Sequence, residues 1–383
     1  MATAFVDTPI GEYLRERLMP VEGVIPHLDG IDMYGNGVPA ELAGGDLFEY
    51  INFQQRYDLD ARIRRALQLS KEYLQAHRMG APDHTCVDDQ VEWLMARPDF
   101  RPEVETAYRK ARSLEQVRVA ESLHDLYSTA GILLVDAQGH GLISAKIAST
   151  VHDTFHAFML SELDRYGKTT PELFELINLR LARSVSARNA LGERRNGTER
   201  EIATMLYGEV RPSGHFRFVN FGHPPPLLFS AQSGRFSDVD RDRMVQFLPL
   251  GLEVPEDHPD RKRYFSMHFR QHPAADSDIA EIALIHPGDI LFLYTDGICD
   301  VTDHDERSAL EALMREVCQL PAKAICNAVL ECAVRSDEAR RDRGEADLID
   351  DKTVFIIKRN ECPGGASALL DQRRKRCLPD ILS

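Results

Sequence analysis

The sequence predicts an α+β fold. Short apolar or alternating stretches bounded by Gly, Pro and Asn read as antiparallel strands, and helical periodicity is gathered into separate blocks rather than alternating with strands one for one. The composition is that of a globular chain, with 43% hydrophobic and 28% charged residues over 383 positions, which excludes a wholly disordered or collagen-like polymer.

Residues 1–25 read as a leader, punctuated by Thr8-Pro9 and Pro20, with Ile10, Tyr13, Leu14 and Leu18 on one helical face. From about Leu28 to Phe53 the pattern is strand-like, with breaks at Gly44-Gly45-Asp46. Residues 58 to about 125 are helical: Leu59, Ile63, Ala66, Leu67, Tyr73 and Leu74 share a stripe, an aspartate is available as N-cap, and Pro82 and Pro102 divide the block. GILLV, from Gly131, is a strand running into a glycine-rich loop. Helices follow at AKIASTVHDTFHAFMLSEL and around 171–187. The span 203–230 holds two strands, in which Phe216, Phe218 and Phe229 flank a turn carrying Gly222 and three prolines. A strand is expected at 289–297, helix at 306–340 and a last strand at 353–359. Residues 361–383, with the basic run Arg373-Arg374-Lys375-Arg376, read as a solvated, frayed tail.

Several function classes drop out. The chain carries 61 acidic against 46 basic residues, a net charge of −15, whereas phosphate-backbone binding needs a basic surplus, so no nucleic-acid partner is expected. Seven scattered cysteines without a C-x-x-C pair argue against a zinc ribbon or disulfide framework and for a reducing, cytoplasmic setting. No run of about 18 apolar residues is present and the N-terminus lacks a basic start before an apolar core, so neither a membrane span nor a secretory signal is expected. A Gly-x-Ser-x-Gly elbow and a Walker-A loop are both missing, which removes the core residues of serine hydrolases and nucleoside-triphosphatases.

The chemistry sits in aspartates at strand ends. Asp46 closes a Gly-Gly turn, Asp136 ends GILLV, Asp296 ends ILFLYT, and Asp350 and Asp351 precede TVFIIK. Acids placed this way stand at the rim of a sheet, and several converging would repel one another unless cations sat between them. Hard cations such as Mg²⁺ and Mn²⁺ choose such oxygen ligands. Two of them can activate one water for in-line attack on phosphorus. The neighbouring glycines Gly45, Gly139 and Gly297 allow close backbone approach.

The ordered set AGGDLFEY, VDAQGHGLISAKIA, ATMLYGEV, FVNFGHPPPLL, LPLGL, GDILFLYTDGICDVTD and DDKTVFIIKR resembles the metal-dependent PPM-type serine/threonine phosphatases, most closely the bacterial SpoIIE/RsbU-like branch. The likeness covers about 26–54 and 128–359. It implies a β-sandwich of two antiparallel sheets flanked by helices, a phosphatase domain at 26–360, and two Mn²⁺ or Mg²⁺ ions. Carried over, Asp46 ligates metal, Asp136 bridges the ions, the carbonyl of Ala137 adds an oxygen, and Asp296 and Asp350 bind the second ion, with Asp351 instead of or beside Asp350. The implied reaction is direct attack of activated water on phosphoserine or phosphothreonine, without a covalent enzyme intermediate. The implied substrate is a phosphorylated protein, in this branch typically a STAS-domain antagonist of an anti-sigma factor, so that sigma-factor regulation follows. A homodimer is compatible.

The chain departs from the family in places. Asp136 lies 90 positions after Asp46, so a helical block at 55–127 looks inserted; it is read as a regulatory or dimerisation element near the metal edge, with family-specific decoration as the alternative. Glu49 replaces a usual second aspartate, with an outer role through water. Gln138 occupies the slot of a histidine found in eukaryotic relatives, and His140 is not given that role, which leaves leaving-group protonation to water. Asn220 and His223 are read as hydrogen-bonding the loop under the site. His152 and His156 stand one helical turn apart, but Asp153 replaces the glutamate of a zinc helix and no third ligand is placed, so the pair is read as satisfied or exposed. Rival readings are a catalytically silent binding scaffold, a hydrolase for another phosphoester, and a GGD-type diguanylate cyclase, which Leu47 directly after Asp46 disfavours.

Overall fold

In a computed structural model, the structure describes residues 23–67 apart from 42, 114–190 apart from 140, 201–238, 246–252, 280–298, 304–344 and 349–360. Most of the leader, the middle of the helical block and the C-terminal tail therefore lie outside the described residues, as does His140. In chain order the elements are β1 (Ile31–Val38), β2 (Asp46–Asn52), α1 (Phe53–Tyr57), α2 (Leu114–Asp125), β3 (Ala130–Ala137), α3 (Leu142–Tyr166), α4 (Pro171–Ala190), β4 (Ala203–Val210), β5 (His215–Phe221), β6 (Leu227–Ser230), β7 (Arg235–Asp238), β8 (Gln246–Phe247), β9 (Ala280–Ala283), β10 (Ile290–Tyr294), α5 (His304–Val317), α6 (Ala322–Asp342) and β11 (Lys352–Arg359). Residues 59–67 are also helical.

Two sheets result. One runs β1-β11-β10-β6-β7 and the other β2-β3-β4-β5-β8, with β9 added to β5. Strand pairing is antiparallel throughout, save for the two-residue contact of β5 with β8. The unbroken apolar runs have a simple cause. β3 and β11 are covered on both faces, so neither face can be polar. In β3, Ile132 and Leu134 face the other sheet, where Leu291, Leu293, Phe355 and Ile357 meet them. The alternate residues Leu133 and Val135 pack against Val151, Phe155 and Met159 of α3 and Phe174 of α4. On the far side Phe292, Tyr294, Val354 and Ile356 pack on Met314 of α5 and Ile325 and Val329 of α6. The fold is thus α+β, a two-sheet sandwich with helices on both outer faces.

Three features differ from the sequence reading or refine it. The helical stretch at 306–340 is two helices, because Pro321 adopts an extended conformation (φ −59°, ψ 152°) and caps α6. The two strands expected at 203–230 are three, β4, β5 and β6, because the turn at Gly222 and the prolines 224–226 divides the second, and β7, β8 and β9, of two to four residues, carry no usable periodicity. The described ends of the 55–127 block belong to the core: Leu59, Ile63, Val117 and Leu123 are fully buried in the cluster beneath α3. No helix among the described residues is long and apolar enough to cross a membrane.

Phe355 is fully buried between the sheets, its ring centroid 6.3 Å from that of Phe48 and 5.0 Å from that of Tyr50. Phe355→Ala is expected to cost about 3–5 kcal/mol, read as a lower denaturant midpoint at unchanged slope.

Candidate metal centre

Strand register brings the first two aspartates together. In the antiparallel pair β2–β3, Asp46 lies directly opposite Asp136. The segments that flank β10 and β11 deliver the others: Asp296 sits in the turn after β10, and Asp350 and Asp351 lie just before β11. The two sheets thus meet at one end with five carboxylates.

Each acid is held by a distinct device. Asp46 Oδ2 accepts hydrogen bonds from the hydroxyls of Thr295 (2.6 Å) and Thr353 (2.9 Å), one from each of the two segments of the opposite sheet. Thr295 Oγ1 in turn accepts from the Thr353 backbone N–H at 2.9 Å. Asp351 spends both oxygens on the loop before β2, accepting from the N–H of Ala40 (2.7 Å) and of Gly45 (2.6 Å). Asp350 Oδ1 accepts from the N–H of Asp351 at 2.8 Å. The buried Lys352 ammonium anchors this turn. It pairs with Asp337 of α6 at 2.6 Å and donates to the carbonyl of Asp350 at 2.9 Å, so its charge is not aimed at the five carboxylates.

Close backbone approach explains two glycines. A Cβ on Gly45 would stand 2.4 Å from the carbonyl oxygen of Ala137, and one on Gly297 would stand 2.0 Å from that of Asp351. Ala137 is fully buried and its N–H donates to Gly45 O at 3.1 Å. Gly139 lies in the following loop at φ +82°.

The electrostatics follow from crowding. Burial, and then Asp136, push the Asp46 carboxyl well above the usual carboxylate range. Burial, and then Asp296, Asp350 and Asp351, raise Asp136 to about 7. Asp296 is raised by desolvation and then by Asp350. Such a set is stable when ionised only with compensating positive charge, and its donors are all oxygen. The residues present therefore fit hard divalent cations.

Asn220, His223 and Glu49 have distinct surroundings. Asn220 is fully buried and bonds the His223 backbone twice, through Nδ2 to O (2.9 Å) and Oδ1 from N–H (2.8 Å). His223 Nδ1 lies 2.9 Å from the hydroxyl of Thr204, the residue opposite Asp136 on β4, and burial drives its pKa down to about 3. The neutral ring thus packs under the loop. Glu49 differs from expectation, and its water-mediated role behind the aspartates is corrected. It lies three residues from Asp46, so the two-residue period of β2 turns it to the opposite face, toward α3. There its Oε2 meets His152 Nε2 at 3.0 Å and His156 Nε2 at 2.5 Å. The histidine pair is buried and does have a third group. Thr295, Thr353 and Lys352 were missed; each lies within two residues of a candidate aspartate, but nothing in the sequence told their hydroxyls or ammonium where to point.

In metal-free protein Asp136 keeps its proton to about 7, whereas an unfolded aspartate loses it at about 3.9. The folded state binds more protons between these values, so stability falls as pH rises through them. Chelator-treated Asp136→Asn is expected to melt a few degrees above wild type at about pH 8, with the gap closing near pH 4. A midpoint at or below wild type at the higher pH would contradict the repulsion.

A family model described as stage II sporulation protein E (SpoIIE) matches residues 128–360, more than half of the chain. No curated protein matches. Among solved structures, the RsbU and RsbW domains of Rv1364c from Mycobacterium tuberculosis align at 16% identity over 94% of this chain and 70% of that one, with a TM-score of 0.46. The PP2C phosphatase domain with a regulatory fragment of SpoIIE from Bacillus subtilis aligns at 11% over 88% and 64%, TM-score 0.45. The SiaA-PP2C domain of Pseudomonas aeruginosa aligns at 10% over 85% and 84%, TM-score 0.43. With its match spanning β3 to β11, the chain belongs to the SpoIIE family.

Proposed function

We propose that this chain is a cytoplasmic metal-dependent phosphatase acting on phosphoserine and phosphothreonine of a protein substrate. The observation that carries the reading is the meeting of Asp46 and Asp136 across one strand pair with Asp296 and Asp350 from the other sheet. The SpoIIE family match supports it. In this reading Asp46, Asp136, the Ala137 carbonyl, Asp296 and Asp350 hold two Mn²⁺ or Mg²⁺ ions. Asp350 is preferred to Asp351 because both Asp351 oxygens already accept backbone N–H groups. Ions held there would activate water and offset charge developing on the phosphoryl oxygens.

The protein's own part is positioning. Thr295 and Thr353 fix one oxygen of Asp46. Asp351 ties down the loop before β2, and Lys352 ties the Asp350 turn to α6. The 55–127 block enters the same reading as a regulatory element. Its described ends touch α3 through Tyr57 with His156 and Arg62 with Asp164, on the helix that follows the Asp136 loop. The substrate class proposed is a phosphorylated STAS-domain protein, on the strength of the motif order shared with the branch.

Wild type should release phosphate from a phosphoserine peptide only with Mn²⁺ or Mg²⁺, and Asp296→Asn should lower the rate by about a hundredfold or more. A folded, metal-loaded wild type that releases none from peptide or protein would refute the activity. A phosphorylated STAS-domain protein is expected to exceed the peptide in kcat/KM by at least about tenfold, equivalent to roughly 1.4 kcal/mol of added transition-state binding; equal values would refute that substrate class while leaving the phosphatase reading intact.

A further inference from the structure

A second cluster of metal-type ligands lies on the other side of the β2–β3 sheet. Glu49 projects from β2, and His152 and His156 project from successive turns of α3. All three are buried, at 2%, 5% and 8% exposure. One ligand atom from each lies within 4.8 Å of the others. Burying a carboxylate between a sheet and a helix is unfavourable without a positive partner. Arg56 is a loose one, its Nε 3.7 Å from Glu49 Oε1 and its side chain 42% exposed.

The outward ring nitrogens sharpen the reading. His152 Nδ1 lies 3.2 Å from Asp153 Oδ1, a carboxylate that can only accept. Glu49 Oε2, 3.0 Å from Nε2, is likewise acceptor-only, so a neutral ring with one proton cannot serve both carboxylates. Either the ring is doubly protonated, or Nδ1 keeps the proton toward Asp153 and a cation stands between Nε2 and Glu49. His156 Nδ1 meets the Tyr57 hydroxyl at 2.5 Å, which can accept a hydrogen bond from it in the same way, and its Nε2 again faces Glu49 Oε2. Both imidazoles thus turn Nε2 inward and fasten Nδ1 to a neighbour, the arrangement of metal-binding histidines. A tetrahedral zinc with bonds of about 2.0–2.2 Å separates its ligands by roughly 3.3 Å, so the 3.0 and 2.5 Å contacts need to open by less than about 1 Å.

We propose that Glu49, His152 and His156 bind a divalent transition metal of zinc type, separate from the aspartate centre. Two imidazoles and one carboxylate are a zinc donor set, while the aspartates are a set for harder ions. The site clamps α3 to β2, and those elements carry or follow Asp46 and Asp136. Metal in the helix layer would therefore stiffen the geometry of the candidate centre without entering it.

The full chain, stripped with chelator and supplied with excess Mg²⁺ to fill the aspartate centre, is titrated with Co²⁺. The expected result is the intense visible spectrum of four-coordinate Co²⁺, lost on adding one equivalent of Zn²⁺, with imidazole scattering in the X-ray absorption of the zinc form. Glu49→Gln and His152→Gln should each weaken Zn²⁺ binding by more than about tenfold. A wild type that gives no four-coordinate spectrum and retains no Zn²⁺ after dialysis overturns the proposal and leaves an imidazolium–carboxylate pair. Undiminished Zn²⁺ affinity in the two variants overturns it as well. Because the wild-type spectrum and imidazole scattering decide the matter alone, a variant that fails to fold does not rescue the idea.

Discussion

Like-charge repulsion between Asp46 and Asp136 is the constraint around which this end of the molecule is built. Antiparallel register sets the two carboxylates side by side, and the other sheet adds Asp296, Asp350 and Asp351. Left to themselves, such groups would move apart or take up protons. They are held because each sits on an element whose position is decided elsewhere. Asp46 and Asp136 end strands whose other residues fill two cores, and the 350–351 turn is anchored by a buried Lys352–Asp337 pair. Packing in the sandwich supplies the free energy that keeps the acids close.

The layering explains how that rigidity is reached. Residues of β3 alternate between the inter-sheet core and the core beneath α3, and β11 does the same toward α6. A shift of either strand by one residue would exchange its two faces and turn its terminal aspartate away from the others. The hydrophobic pattern that stabilises the fold is therefore also what sets the register of the acids. Thr295 and Thr353 make the link direct, since one oxygen of Asp46 on the second sheet is held by hydroxyls from the first.

Glu49 shows the same rule from the other side. It follows Asp46 by three positions, an odd number, so the strand places it among the helices with His152 and His156. The two carboxylates of β2 thereby belong to different chemical environments, one among acids and threonine hydroxyls, the other among imidazoles. A strand covered on both faces can present carboxylates to both, and β2 does so within four residues.

The sequence by itself determined the class of fold, the central strands and the aspartates at their ends, because unbroken apolar runs stopping in Asp or Gly-Asp report burial and a sheet rim directly. The Asn220–His223 turn was legible too, since bonds between residues three apart are a local matter. What only the tertiary structure decided were long-range relations: that Thr295 and Thr353 grip Asp46, that Lys352 serves the Asp350 turn, that Asp351 spends its carboxylate on the loop at Ala40 and Gly45, and that Glu49 completes the histidine pair of α3. These depend on strand parity and on which elements face each other across up to about three hundred residues of chain. Residue type and local periodicity carry no record of that, because a side chain's partner is set by the packing of whole layers.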